Sequence, residues 1–94
     1  MEKITLNKPY QFEGQTYEEI EFDFDNLTGL NLLSAEREIR AMGNTTASIY
    51  FSMQYQAAVA AQAAKKPIDF MLGLSAKDFI HAVVLAQNFL FARV

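Results

Sequence analysis

His81 is the only histidine of this 94-residue chain, and no cysteine accompanies it. A catalytic base needs an orienting partner, and a metal ion needs more ligands than one imidazole. Ile80 and Ala82 flank His81, and no acid lies four residues away on either side. Asp78, at i−3, allows at most a pair on a helix surface. His81 therefore reads as a structural residue. The carboxylates Glu18, Glu19, Glu21, Asp23 and Asp25 are the densest set of oxygen donors. A calcium loop gathers such ligands on a tight, glycine-containing turn, whereas most of these stand at strand spacing. They read as a solvated strand edge, protected by charge from edge-to-edge aggregation. Ser34, Ser48, Ser52 and Ser75 have no Gly-x-Ser-x-Gly context, and the four glycines form neither a phosphate loop nor a dinucleotide fingerprint. The expectation is a non-enzymatic protein with no catalytic residue, no cofactor and no metal.

Composition narrows the remaining classes. Without cysteine, a disulfide scaffold and a thiolate zinc site are excluded. Twelve aromatic residues argue against global disorder. Eight basic residues against eleven acidic ones argue against nucleic acid as a partner. Met1-Glu2-Lys3-Ile4-Thr5 leads into no apolar signal core, and Gln62, His81, Gln87 and Asn88 interrupt the longest apolar stretches. None reaches the roughly 18–20 residues of a membrane span, so a small soluble intracellular domain is expected. The charge is unevenly placed: residues 1–42 hold nine acids and four cations, residues 43–94 two acids and four cations. Alanine runs the other way, with two before residue 43 and eleven after it.

These features must be carried by a few elements. Ile4, Leu6, Tyr10 and Phe12 alternate with polar residues, as do Ile20, Phe22 and Phe24 on the return, which predicts an N-terminal β-hairpin. A two-residue turn would place Tyr10 opposite Tyr17 and send the second apolar row to the wrong face. A three-residue loop, Glu13-Gly14-Gln15, with a glycine bulge would place Phe22 opposite Leu6 and Phe24 opposite Ile4. A bulge at Glu18-Glu19 would restore the same alignment. Pro9, with no amide donor, suits an edge or interrupted strand.

Asp25 to Gly29 supplies turn and capping residues before a helix from about Leu30 to Met42, with the stripe Leu32, Ala35, Ile39 and Met42 widened by Leu33. Glu36 and Arg40 form a favourable i,i+4 pair, and Gly43-Asn44 ends the helix. A second helix, capped by Thr45 or Thr46, is predicted to run to about Ala64. Its stripes are Ile49, Met53, Ala57, Ala60 and Ala64, beside Phe51, Tyr55 and Val59. Lys65-Lys66-Pro67 closes it, a short turn follows through Leu72 to Gly73, and Ser75 with Asp78 opens a last helix running to about Ala92. The fold class is α+β, mainly α: a hairpin followed by three main helices and one short helical turn. It forms a single domain over 1–94, with an acidic hairpin at 1–25 and a helical part at 26–94.

The last helix is apolar on a wide arc. Phe79, Val83, Ala86 and Leu90 lie on one side, with Ile80, Val84, Gln87 and Phe91 next to them. A chain this short has few elements to enclose such a helix, so a partner or a second copy is expected to cover part of it. Phe12, Phe22, Ile39, Met53 and Tyr55 are most simply core. Tyr55, Ile80, Val84, Phe89 and Phe91 are the candidates for partner binding. The triplet Phe89-Leu90-Phe91 cannot face inward throughout.

Ile4-Thr5-Leu6 through Phe12-Glu13-Gly14 to Tyr17 is followed by Leu27-Thr28-Gly29 and Ala35-Glu36-Arg37-Glu38. Tyr55 with the alanines after it, Asp78-Phe79 and Asn88-Phe89-Leu90 complete a pattern that covers nearly the whole chain. The order and spacing of these short motifs resemble the tail assembly chaperones of long-tailed bacteriophages and prophages. Asn31 departs from the pattern, standing where an acidic residue is expected. The resemblance implies a non-enzymatic factor of the host bacterial cytoplasm, absent from the mature virion. Its partner would be the helical tape measure protein, which it keeps soluble while helping to recruit subunits of the tail tube protein. The alternative is a small self-assembling structural or adaptor component of the tail. A homo-oligomer is expected in either case, with no nucleic acid and no membrane as partner.

Overall fold

Positive backbone angles at Glu13 (φ 49°) and Gly14 (φ 82°) reverse the chain between β1 (Glu2–Phe12) and β2 (Gln15–Phe22) in the computed structural model, which describes residues 1–92. Two successive positive angles are the turn that matches the natural twist of a hairpin. The loop therefore has two residues rather than three, and Phe12 pairs with Gln15, Gln11 with Thr16 and Tyr10 with Tyr17.

The shift that brings both apolar rows to one face lies neither in the turn nor in an extra residue at Glu18-Glu19, but in β1. The register breaks between Tyr10 and Thr5 and resumes with Thr5 opposite Glu19, Ile4 opposite Ile20 and Glu2 opposite Phe22. Residues 6–9 of β1 thus face Glu18 alone. The chemistry of β1 explains why the irregularity sits there. Pro9 has no amide to donate, and the Asn7 amide donates to both carboxylate oxygens of Asp78, at 2.8 and 3.0 Å. Phe22 consequently faces neither Leu6 nor the solvent: it lies fully buried with Ile4, Leu6 and Ile20 against the helices. Phe24 leaves the strand for a 3-10 turn, Phe24–Asn26. Lys3, Thr5, Glu19 and Glu21 point to solvent on the other face, as their alternation predicts.

α1 (Gly29–Ala41) begins at Thr28. Asn31 accepts from the Thr28 amide at 2.9 Å and donates to Gln62 at 3.1 Å. A carboxylate at this position would accept but could not donate to Gln62. Ala35 and Ile39 face inward, whereas Leu33 and Met42 are exposed, so the apolar stripe of α1 is narrower than its sequence suggests. Glu36 and Arg40 pair at 3.3 Å.

α2 spans Met53–Ala64 and starts well after Thr45 and Thr46. Asn44 takes over the connection: its side chain donates to Ser52 at 3.1 Å and to Gln54 at 2.8 Å, and Arg40 donates to the Thr46 carbonyl at 2.9 Å. Ile49–Phe51 forms a separate 3-10 turn, and extended backbone at Ser52 keeps it from joining the helix. Ala57, Ala58, Ala60, Ala61 and Ala63 of α2 are buried under the other elements, because a side chain this small lets neighbouring backbones approach closely.

α3 (Ile68–Leu72) and α4 (Ala76–Leu90) complete the domain. α4 ends two residues earlier than its sequence predicts. Ser75 caps α4 by accepting from the Asp78 amide at 3.3 Å and donating to its carboxylate at 3.0 Å. Asp78 thus joins the start of α4 to the break in β1, its carboxylate taken up by the Asn7 amide and the Ser75 hydroxyl. The hairpin tip is held by Phe70 of α3, whose ring meets those of Tyr10, Phe12 and Tyr17 edge-on at centroid distances of 5.2, 5.1 and 5.0 Å. Hairpin and helices share one core.

Gly73, between α3 and α4, leaves the space that Tyr10 occupies. A Cβ there would collide with the Tyr10 hydroxyl and lie 3.2 Å from the ring carbon bearing it. Gly73→Ala is expected to push Tyr10 off Phe70 and to lower stability by about 1–3 kcal/mol in urea unfolding. An unchanged unfolding midpoint would show that Tyr10 can relocate freely.

Candidate protein-interaction surface

α4 turns one side inward and leaves another uncovered. Ala82, Val83 and Ala86 are buried, while Ile80 (45 % exposed), Val84 (40 %) and Phe91 (44 %) are not. Residues 80, 84 and 91 stand at i, i+4 and i+11, so they line one side of the helix over about 16 Å. The 3-10 turn before α2 extends this strip. Phe91 stacks on Phe51 with centroids 5.5 Å apart and planes 20° apart, and Tyr50 lies 4.6 Å from Phe51 and 6.3 Å from Phe91. Phe51 is the most exposed of the three, at 65 %.

A buried hydrogen-bond chain holds this aromatic cluster in place. Gln56, on the first turns of α2, donates to the Tyr50 carbonyl at 3.1 Å. Its own carbonyl oxygen accepts from the Gln87 amide of α4 at 3.0 Å. Gln56 is itself buried, so both bonds are shielded from water and fix the turn, α2 and α4 relative to one another.

Electrostatically the strip is almost empty. Residues 41–64 contain no Asp, Glu, Lys or Arg. The only carboxylate of α4, Asp78, is buried against β1. Lys77 and His81 are exposed on the same helix as the apolar row. Exposed aromatic and aliphatic side chains without carboxylates match the composition of interface cores.

The five residues singled out from the sequence divide three ways. Ile80, Val84 and Phe91 are together on the strip. Phe89 turns the other way, stacking on Phe24 at 5.2 Å, with Phe24 in turn on Phe22 at 5.8 Å. It is half-buried as part of the contact between α4 and the hairpin. Tyr55 lies in the core, its hydroxyl 3.4 Å from the Leu32 carbonyl oxygen. Burial, reinforced by the negative charge of Glu36, raises the Tyr55 phenol above its ordinary pKa, so it remains a neutral donor. Ala57, Ala58, Ala60, Ala61 and Ala63 of α2 are likewise enclosed within the domain, so they form no groove with α4 for another chain. Met53, which the helical stripe placed in the core, is exposed.

Tyr50 and Phe51 belong to the surface although their spacing suggested a continuous helix. The signal that points to them is the uncharged run around them, which has no cations or acids to form a solvated face. Among the described residues, no three His, Asp or Glu side chains converge as metal ligands would, and no helix is long and apolar enough to cross a membrane. No family model, no curated protein and no solved structure matches the chain.

Proposed function

We propose that this protein is a non-enzymatic tail assembly chaperone of a long-tailed bacteriophage or prophage, acting in the host bacterial cytoplasm on the tape measure protein. The observation that carries the reading is the carboxylate-free strip formed by Ile80 and Val84 of α4 and Phe91 at its C-terminal cap with Tyr50 and Phe51. Its length suits about three turns of an amphipathic helix laid along α4, each turn placing an apolar residue against the row. Burying a large apolar side chain contributes about 1.5–3 kcal/mol. A strip of five such residues suits modest affinity at one site. Many copies along one long client would add avidity, and client-bound chains would sit close enough to present tube subunits to one another. The exposed acids of the hairpin would keep the coated client soluble. This mechanism uses α4 and the aromatic turn, with the alanines of α2 serving as the packed support beneath them.

The test is co-expression with a fragment of a tape measure protein from the same genome. The expected outcome is a soluble fragment that co-elutes with the chaperone in size-exclusion chromatography. A fragment that stays insoluble, with no complex, would overturn the proposal. Mass spectrometry of purified virions separates this role from that of a structural tail component, which would be found in the particle.

A further inference from the structure

The hairpin is a two-stranded sheet, and among the described residues no third strand pairs with it. Each strand therefore has a second edge of backbone donors and acceptors, but the two edges are not equivalent. β1 is interrupted: Pro9 has no amide, and the Asn7 amide is committed to Asp78. β2 has no proline. Beside it runs a groove of about 280 Å³, walled by Tyr17 and Ile20 of β2, Ala64 and Lys66 at the end of α2, and Phe70 of α3. Lys66 is already engaged, donating to the Tyr17 hydroxyl at 3.0 Å with its ammonium 4.7 Å from the ring centroid.

Charge selects the occupant. Glu18, Glu19 and Glu21 are all exposed on β2, and only Glu19 has an ion-pair partner among the described residues, Lys3 at 3.4 Å. A second copy of β2 would set these acids against their own kind, which disfavours pairing between copies. The broken β1 of a second copy offers a poor ladder. An extended segment of another protein, with lysine or arginine at alternate positions, meets both demands: it completes the ladder and neutralises the carboxylates.

We propose that the free edge of β2 is a docking strip for such a basic, extended segment, added as a third strand to the hairpin. The acids that guard this edge against like copies then select a cationic partner. This surface is separate from the α4 strip and does not depend on what α4 binds.

The probe is a blocked eight-residue peptide alternating lysine and valine, with the corresponding glutamate–valine peptide as control. Titrated into the full chain, the lysine peptide is expected to shift the amide resonances of residues 15–22 and to slow exchange of the outward-facing β2 amides by about tenfold or more. The effect should weaken as salt is raised from roughly 50 to 500 mM, because the charges are exposed. In a Glu18→Lys, Glu21→Lys variant, checked for folding by circular dichroism, the lysine peptide should lose its effect. Two outcomes overturn the proposal: no protection of β2 amides at saturating lysine peptide, or equal protection by the glutamate peptide. Shifts of the carboxylate resonances without amide protection also overturn it, since they indicate adhesion without strand addition.

Discussion

Phe70→Ala is expected to lower the unfolding free energy by about 3–5 kcal/mol, the range for deleting a fully buried phenylalanine. Phe70 is 0 % exposed and makes edge-on contacts with three rings from both strands of the hairpin. Alanine would leave a cavity that Tyr10, Phe12 and Tyr17 cannot all fill. Tyr17 is tethered by Lys66 and Tyr10 is pressed against Gly73. A domain of this length holds about 5–14 kcal/mol in total, so the variant would approach the threshold of folding. The loss should be uneven. Amides of residues 10–17 are expected to lose exchange protection first, while α2 and α4, joined through Gln56 and Gln87, retain more of theirs. Urea unfolding with residue-resolved hydrogen exchange measures both parts. A cost under about 1 kcal/mol would contradict the role given to α3 as the anchor of the hairpin tip.

The contrast between Phe70 and the hairpin register shows what a single sequence makes visible. Alternation along Ile4–Leu6 and Ile20–Phe22, and helical spacing from Leu32 to Ile39 and Ala82 to Ala86, announce the elements because periodicity is a local property. The α+β class and the order of hairpin, helices and short turn follow directly from it. Register is different. Either a longer turn or a bulge at Glu18-Glu19 would align the apolar rows, and the chain adopts neither: residues 6–9 of β1 stand against Glu18 alone. Local pattern could not show this, because the irregular stretch holds the Asn7 amide against Asp78, 71 residues away. The start of α2 was hidden for a similar reason. Thr45 and Thr46 are suitable caps, but Asn44 reaches forward to Ser52 and Gln54 and holds the intervening chain out of the helix.

The candidate surface was legible in part. Ile80, Val84 and Phe91 stood out because the apolar arc of α4 exceeds what so few elements can enclose. Phe89 and Tyr55 share that hydrophobic character, yet packing decides their direction: Phe89 meets Phe24, and Tyr55 points toward Leu32. Tyr50 and Phe51 become surface residues only once the chain leaves helical geometry at Ser52.

Phe91→Asp is expected to leave the monomer folded and to weaken client binding by about 30- to 1,000-fold, the effect of losing about 2–4 kcal/mol at an interface hot spot. The separation of stability from binding rests on exposure. Phe91 already meets water over 44 % of its surface at the end of α4, so an aspartate there stays hydrated in the free protein. In the complex the same carboxylate would be enclosed among Phe51, Tyr50 and the apolar row of the client, without a cation on residues 41–64 to pair with it. Phe51→Asp should act in the same direction, since the two rings form one stack. Leu30→Asp is the control: Leu30 is 70 % exposed on α1 and takes no part in the strip, so binding should be unchanged. Circular dichroism and thermal unfolding establish the fold of each variant, and isothermal titration with a tape measure fragment reads the affinity. Unfolding by Phe91→Asp would place that ring in the core and contradict its assignment to the surface.

The most direct test of the central claim is a nuclear magnetic resonance titration of the isotopically labelled protein with a helical tape measure fragment. The methyl resonances of Ile80 and Val84 and the ring resonances of Phe51 and Phe91 are expected to move together and saturate at one affinity, while those of Ile4 and Ile20 in the hairpin core stay in place. A fragment that binds while leaving Ile80, Val84, Phe51 and Phe91 unperturbed would contradict the claim.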